Sequence, residues 1–435
     1  MPRARERNIG KTMTECDIAI IGAGAAGLAA AIAAGDAAAG SAQRIVLIEG
    51  ARKPGAKILV SGGGRCNVTN QVVTSDDFWG GPRPTIRKVL QAFDVSETIS
   101  WFKRMGVTLK LEPGGKYFPT TDQAQTVLDA LLRRMREAGV RLIDCARVTG
   151  LFRSAEGFEL ALSRGYALHA KRVIVATGGL ALPKSGSDGA GIMMLEQLGH
   201  TIIPTTPALT PLVLKKGRHP GGRFAEFSGV ALDARLQLRR GTHPLVELEG
   251  SLLFTHFGIS GPVAMNLSRH WLRAQLDEPG SPLTVSLGVP SLDTLEKADQ
   301  WLTRQAAAHP RQHVATILTA ILPERLARAM GEDFTASHTL AHLTREERHH
   351  LAGQLSALPL PVIDSRGYTH AEATAGGVDL REIDPGTMQS RKISGLYLCG
   401  EILDVDGRIG GFNFQWAWSS GHVAGRSAVA GLAMS

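Results

Sequence analysis

The chain has 435 residues, 43% of them hydrophobic, 20% charged and 5% aromatic, with a formal net charge of +8 at neutral pH. That length carries a large core and points to two domains, and the hydrophobic fraction excludes a disordered chain. Four scattered cysteines (Cys16, Cys66, Cys145, Cys399) form no C-x-x-C and no zinc spacing, which fits a reducing, cytoplasmic setting without a metal.

The first residues are polar and basic (Arg3, Arg5, Arg7, Lys11) and lack the apolar core of a signal peptide. They read as a disordered leader over 1–15, with Met13 as a second candidate start. An apolar run of strand length, Ile18–Ile21, then leads into G-A-G-A-A-G (Gly22–Gly27) and an alanine-rich helical segment, Leu28–Ala34. A second strand, Ile45–Ile48, ends at Glu49, 22 residues past Gly27. Strand, glycine turn, helix, strand and terminal acid together make a dinucleotide-binding fingerprint. In it Gly22 permits the turn, Gly24 lets a pyrophosphate approach the backbone, and Gly27 lets helix and strand pack closely. The N–H groups around Ala25 and Ala26 face the diphosphate at the positive end of the helix dipole. Glu49 accepts ribose hydroxyls and repels a 2′-phosphate, which favours FAD or NAD over NADP. Ile18–Gly35 is uncharged, but it is mostly Gly, Ala and Ile between Asp17 and Asp36, so a buried strand and helix explain it better than a membrane span.

A glycine-rich loop follows at Val60–Asn70, then helical patterns near 84–105 and 122–138, with Asp94 and Glu97 as a capping pair. Alternating segments at 141–148, 157–162 and 167–170 predict a small antiparallel sheet, and Arg172–Gly179 a buried strand ending in a glycine turn. From 201 the grammar changes. Prolines cluster at 204, 207 and 211, and strands follow near 230–239, 245–254 and 283–288. Helices are expected over 292–308, over 314–322 and from Thr344, where Glu347 completes a capping box. The predicted organisation is therefore a leader, a dinucleotide-binding domain over 16–200, an inserted β-plus-helical domain over 201–356, and a return to the first domain over 357–435. Basic runs at Arg133–Arg136 and Lys215–Arg218 read as solvated surface, so nucleic acid is disfavoured as a partner, although an anionic substrate stays open.

Near the end, an apolar strand stops at Gly400-Glu401, and a loop with Gly410-Gly411-Phe412-Asn413 opens a helix rich in Ala and Trp. An acid after a strand bonds ribityl hydroxyls, and a glycine-flanked helix N-terminus stabilises negative charge on a reduced flavin. Paired with the first fingerprint, this favours FAD as the cofactor.

Several strings then carry a family resemblance. They are K-I-L-V-S-G-G-G-R-C-N (Lys57–Asn67), Phe118-Pro119, A-T-G-G (Ala176–Gly179) and P-K-S-G-S-D-G (Pro183–Gly189). Further strings are Pro207–Leu209, L-F-T-H-F-G-I-S-G-P (Leu253–Pro262), T-A-G-G-V (Thr374–Val378) and the 400–421 segment. With them the chain resembles the BaiN-like (YhiN-type) NAD(P)/FAD-dependent oxidoreductases, some described as aminoacetone oxidase-like, over nearly its whole length from residue 16. The resemblance implies an α/β fold, with a glutathione-reductase-type, Rossmann-like FAD-binding domain and an inserted β-barrel-like plus helical domain. It also implies a substrate cleft where the two meet, and leaves the substrate open.

The expected cofactor contacts are Gly22, Gly24, Ala25, Ala26, Gly27, Glu49, Lys57, Gly64, Arg65, Cys66, Asn67, Val148, Thr177, Gly178, Gly400, Glu401, Gly411, Phe412 and Asn413. Arg65 would hold the pyrophosphate or the flavin carbonyls, or else pair with a surface acid. Cys66 has no second cysteine on its loop, so a packed residue is favoured over a redox disulfide. His256 and Glu372 are the candidate catalytic groups, each weighed against a structural role. His342, His349 and His350 read as a solvated helix face. No second G-x-G-x-x-G unit follows a strand, so NAD(P)H, if it is the donor, binds transiently. The leading expectation is an oxidoreductase moving hydride between flavin N5 and a small organic molecule. An RNA-binding flavoprotein of nucleotide modification and a regulatory FAD-binding protein without turnover are the alternatives.

Overall fold

A computed structural model describes residues 14–217, 222–332 and 339–432. The expected leader, apart from its last two residues, lies outside them, as does Met13, and so does Arg218 of the second basic run. The chain divides into two units, one of residues up to Thr205 and from Ala373 onward, the other Thr206–Glu372. The sequence reading closes the insert at 356, but Leu358–Leu360 and Val362–Ser365 are strands of the inserted sheet, pairing with Leu283–Gly288 and Leu212–Leu214.

In the first unit the strand Thr14–Ile21 lies at the centre of a seven-stranded sheet, parallel to Ile45–Ile48 on one side and to Tyr166–Val175 on the other. Ile18 faces Ile45 and Arg172 in register. Ile18, Ala19 and Ile20 are wholly buried, which is why these parallel strands read as unbroken apolar runs. Arg141–Ile143 joins the sheet in parallel beyond Ile45–Ile48. Tyr166–Val175 is one ten-residue strand. Its start pairs antiparallel with Gly157–Leu162, which pairs with Val148–Ser154, and its end runs parallel to Leu396–Leu398. The expected separate small sheet is thus an extension of the main one. Alternation at 167–170 and the apolar run at 173–175 belong to a single strand that is covered differently along its length.

The helix Ala25–Ala37 is built almost wholly of Ala and Gly because the terminal helix, Phe412–Leu432, lies directly on it. A Cβ on Gly421 would stand 2.4 Å from the Ala26 carbonyl oxygen, and one on Gly425 2.2 Å from that of Ala30. Larger side chains on that seam would force the helices apart. Trp416 and Trp418, two residues apart and so on nearly opposite faces of the terminal helix, are both buried. The Trp416 indole donates to the Gly400 carbonyl at 3.2 Å and that of Trp418 to the Val68 carbonyl at 2.9 Å. The helix therefore ties the glycine-rich loop to the late Gly-Glu turn. The expected helices occur as Arg83–Ala92, Val95–Arg104 and Ala124–Glu137, with Asp94 capping the second by accepting from the Glu97 N–H at 2.9 Å.

The second unit holds a seven-stranded antiparallel sheet. Ala231–Arg240 and His243–Thr255 form its long central hairpin. Its two end strands, Leu358–Leu360 and Val362–Ser365, are separated in sequence only by Pro361, so the sheet turns back on itself in the barrel-like manner expected. Helices Pro262–Asp277, Leu295–Ala308, Val314–Leu318 and Arg345–Ala357 accompany it, the last opened by the Thr344–Glu347 capping box. The sequence reading passes over one further helix, Glu324–Glu332. No described helix is long and apolar enough to cross a membrane.

Candidate functional site

The dinucleotide turn is built backbone on backbone. Gly22 closes the first strand at φ +101°, and a Cβ there would lie 2.6 Å from the Ala176 carbonyl oxygen. A Cβ on Gly27 would lie 1.8 Å from the Gly22 carbonyl oxygen. At Gly24, by contrast, nothing lies within 4 Å of the Cβ position, so that glycine faces open space. The helix Ala25–Ala37 begins at Gly24 with no side-chain cap, which leaves its first N–H groups and the positive end of its dipole for an anion. Glu49 closes the turn. Its Oε2 accepts from the Ala23 N–H and its Oε1 from the Ala51 N–H, each at 2.8 Å, and each oxygen keeps a second acceptor position for a hydroxyl.

The late Gly-Glu turn comes to the same place. A Cβ on Gly400 would stand 2.6 Å from the Ala26 Cβ. Glu401 Oε2 lies 2.6 Å from Lys57 Nζ, and Oε1 accepts from the Thr374 hydroxyl at 2.8 Å. Lys57, Thr374 and Glu401 thus meet from three distant stretches of sequence. Thr177 and Gly178 follow the strand Tyr166–Val175, whose next residue, Ala176, packs on Gly22.

The glycine-rich loop divides in its roles. Gly62, Gly63 and Gly64 are exposed and all lie at positive φ. Arg65 is engaged within the protein: its guanidinium meets Glu112 at 2.9 Å and Asp122 at 3.4 Å, and sits 4.0 Å over the Phe118 ring. Lys110 joins the same acids. Of the two expectations for Arg65, this geometry is the pairing with surface acids. Cys66 is wholly buried, and burial pushes its thiol up to about 12, so it stays protonated and unreactive at neutral pH. Val148 is buried in its strand. Phe412 is buried, with Arg408 over its ring, and the Asn413 side chain both accepts from the Gly407 N–H and donates to the Gly407 carbonyl. Those two side chains shape the helix start. Gly411, whose Cβ would meet Thr69 at 2.6 Å, brings that start against the glycine-rich loop.

Does this cradle fit FAD? Asn67 Oδ1 and Thr177 Oγ1 are among the buried polar atoms of this unit with no protein partner, a state that costs about 1–3 kcal/mol per group unless a ligand supplies one. Both belong to the segments that frame the cradle. Together with the open side of Gly24 and the spare acceptor positions of Glu49, they suit a cofactor rich in hydroxyls and phosphate. The residues present fit the group.

The two catalytic candidates sit in the inserted unit. His256 is exposed at the end of the strand His243–Thr255, its ring edge-on to Phe257 at 5.1 Å. Glu372 is exposed, and its N–H donates to the Leu209 carbonyl at 3.1 Å. Among the described residues no group of His, Cys, Asp and Glu could hold a metal ion.

Sequence reasoning passed over Thr374 as a site residue, although its motif was noted. The available signal is a hydroxyl before a glycine pair in an otherwise apolar strand. It also missed a cavity of about 910 Å³ in the first unit, lined among others by Gln71, Arg87, Asp94, Ser100, Tyr117 and Gln415. Its lining is drawn from the loop after Asn70, the helices Arg83–Ala92 and Val95–Arg104, a strand and the terminal helix, with no shared motif, and contains none of the expected cofactor contacts.

A dinucleotide turn completed by a glycine-acid turn from the far end of the chain defines an FAD-dependent oxidoreductase on a Rossmann-type fold. Residues 16–427 match the HI0933-like protein Rossmann domain, and the chain belongs to that family. It is 35% identical to a 3-dehydro-bile acid Δ4,6-reductase of Clostridium scindens, over 95% of this chain and 98% of that protein. It is 32% identical to a ribosomal RNA dihydrouridine synthase of Escherichia coli, over 96% of this chain and 99% of the other. Among solved structures, a chain of E. coli quinol fumarate reductase superposes with a TM-score of 0.51 at 16% identity, covering 97% of this chain and 71% of that one, a likeness of fold.

Proposed function

We propose that this protein is an FAD-dependent reductase of carbon–carbon double bonds conjugated to a carbonyl group. The observation that carries the reading is what its full-length relatives have in common. A 3-dehydro-bile acid Δ4,6-reductase and a ribosomal RNA dihydrouridine synthase differ in substrate, yet both names denote saturation of an alkene polarised by a neighbouring carbonyl. FAD, when bound and reduced by the electron donor, would supply the hydride.

The chain's own residues then hold and orient. The first turn of Ala25–Ala37, reached past Gly24, binds the pyrophosphate. Glu49 accepts the adenosine ribose hydroxyls, and Glu401, clamped by Lys57 and Thr374, accepts hydroxyls of the ribityl chain. Asn67 and Thr177 complete their hydrogen bonds on the cofactor. His256 or Glu372 delivers the proton to the substrate α-carbon. The electron donor is NADH or NADPH bound transiently.

A second reading concerns the substrate. The net charge of +8 and a sequence pI near 9.5 favour a polyanion, so the conjugated alkene would be a uracil within RNA rather than a free small molecule. One experiment tests both. The purified flavoprotein is reduced anaerobically with NADH or NADPH, then mixed with a 4-en-3-one steroid, a small enone, or ribosomal RNA lacking dihydrouridine. Return of the oxidised flavin spectrum with a saturated product supports the class and names the substrate. Failure of every conjugated acceptor, while simple amines or alcohols reduce the flavin, overturns it. An RNA substrate also predicts binding that weakens steeply with salt.

A further inference from the structure

Thr374 is the second residue of the buried strand Ala373–Val378 and is itself wholly buried. Its hydroxyl oxygen accepts two backbone N–H groups, from Leu180 at 2.8 Å and Ala181 at 3.0 Å. With both acceptor positions filled, its one proton has a single destination, Glu401 Oε1 at 2.8 Å. The approach is tight, since a Cβ on Gly179 would stand 2.5 Å from that same hydroxyl oxygen. Lys57 Nζ takes the other oxygen of Glu401 at 2.6 Å. The carboxylate is thus held at both oxygens, with one acceptor position left on each.

We propose that Thr374 is a positioning residue for the cofactor. It acts through Glu401, aiming the carboxylate's remaining acceptor positions at the hydroxyls of FAD and locking the A-T-G-G turn (Ala176–Gly179) to the Gly400-Glu401 turn. The two turns follow neighbouring parallel strands, Tyr166–Val175 and Leu396–Leu398, so one hydroxyl fixes the spacing of two cofactor-facing loops. The inference rests on Glu401 as an acceptor for FAD, and its test separates the two.

Flavin-depleted wild type, Thr374→Val, Thr374→Ser, Glu401→Gln and the Thr374→Val/Glu401→Gln double variant are titrated with FAD, following flavin fluorescence. Loss of a charge-assisted hydrogen bond predicts affinity about 10- to 100-fold weaker in Thr374→Val, while Thr374→Ser, which keeps the hydroxyl, stays within about threefold of wild type. In the Glu401→Gln background the Thr374→Val change costs less than about threefold more, because the two residues act as one unit. Thr374→Ala reads the same difference should Thr374→Val not fold. Wild-type affinity in Thr374→Val, a full loss in Thr374→Ser, or losses that multiply in the double variant each overturn the proposal. If Glu401→Gln binds FAD as wild type does, the reading of Glu401 fails first and takes the proposal with it.

Discussion

Lys57 Nζ and Glu401 Oε2, 344 positions apart in the chain, lie 2.6 Å from each other at the meeting of the glycine-rich loop and the late Gly-Glu turn. The pair is only about one-fifth exposed, enough for water to reach it and too little for a surface ion pair of no consequence. Lys57→Met keeps the aliphatic stem and removes the charge. It is expected to weaken FAD binding about tenfold, with thermal stability changed by less than about 1 kcal/mol. A fluorescence titration set beside a melting curve checks both halves. Unchanged affinity would mean that the lysine serves only to neutralise Glu401.

Two glycines of one turn should respond in opposite ways. Gly27→Ala places a methyl 1.8 Å from the Gly22 carbonyl, so helix and turn must separate, at a cost of about 1–3 kcal/mol in stability. Gly24→Ala meets nothing within 4 Å, and its backbone (φ −79°, ψ −169°) is open to any residue. That variant is expected to melt like wild type yet bind FAD at least tenfold more weakly, because the methyl stands where the pyrophosphate approaches. Melting temperatures and FAD titrations of the two proteins, side by side, decide the matter.

The first turn was legible because a dinucleotide fingerprint is local: strand, glycines, helix and Glu49 all fall within a single βαβ unit. Arg65 shows the limit of that kind of reading. Its motif placed it beside the cofactor, but Glu112, Asp122 and Phe118 lie some 50 residues on, and their pull on the guanidinium has no local signature. Thr374 was missed for a related reason, since its role depends on two N–H groups near residue 180 and a carboxylate at 401. The end of the insert was misjudged because Leu358–Leu360 and Val362–Ser365 are short, and Pro361 between them reads as a linker. What closes the sheet there is pairing with strands far back in the sequence.

Burial sorts the four cysteines. Cys16, Cys66 and Cys399 are buried, and burial raises all three thiols, those of Cys16 and Cys66 to about 12. Cys145 alone is exposed. A maleimide added to the native protein should therefore modify one site, identified by peptide mass mapping, and Cys145→Ser should abolish the labelling. Rapid native modification of Cys66 would contradict the packing of the glycine-rich loop.

Acid sensitivity follows from three histidines held neutral. Burial, aided by Arg426 and Arg104, lowers His422 to about 4, and burial with Arg269 nearby lowers His270 to about 3. His200 is also lowered by burial, against the opposing pull of Glu382, which it meets at 2.8 Å. The unfolded chain takes up these protons near pH 6.5 and the folded one does not, so the stabilisation is complete above about pH 6.5 and falls as the pH drops towards the folded values. Each fully shielded histidine contributes up to about 1.4 kcal/mol per pH unit in that window. Glu382, lowered to about 2, adds a second loss beginning near pH 4.5. His422 stacks on Phe93 with ring centres 4.4 Å apart, so His422→Phe preserves the contact while removing the titration. Urea unfolding between pH 7 and pH 4 should show a shallower loss of stability for that variant than for wild type, with the two curves diverging below about pH 6.5. Parallel curves across the whole range would show that His422 takes up its proton equally in both states, and would contradict its burial in the folded protein.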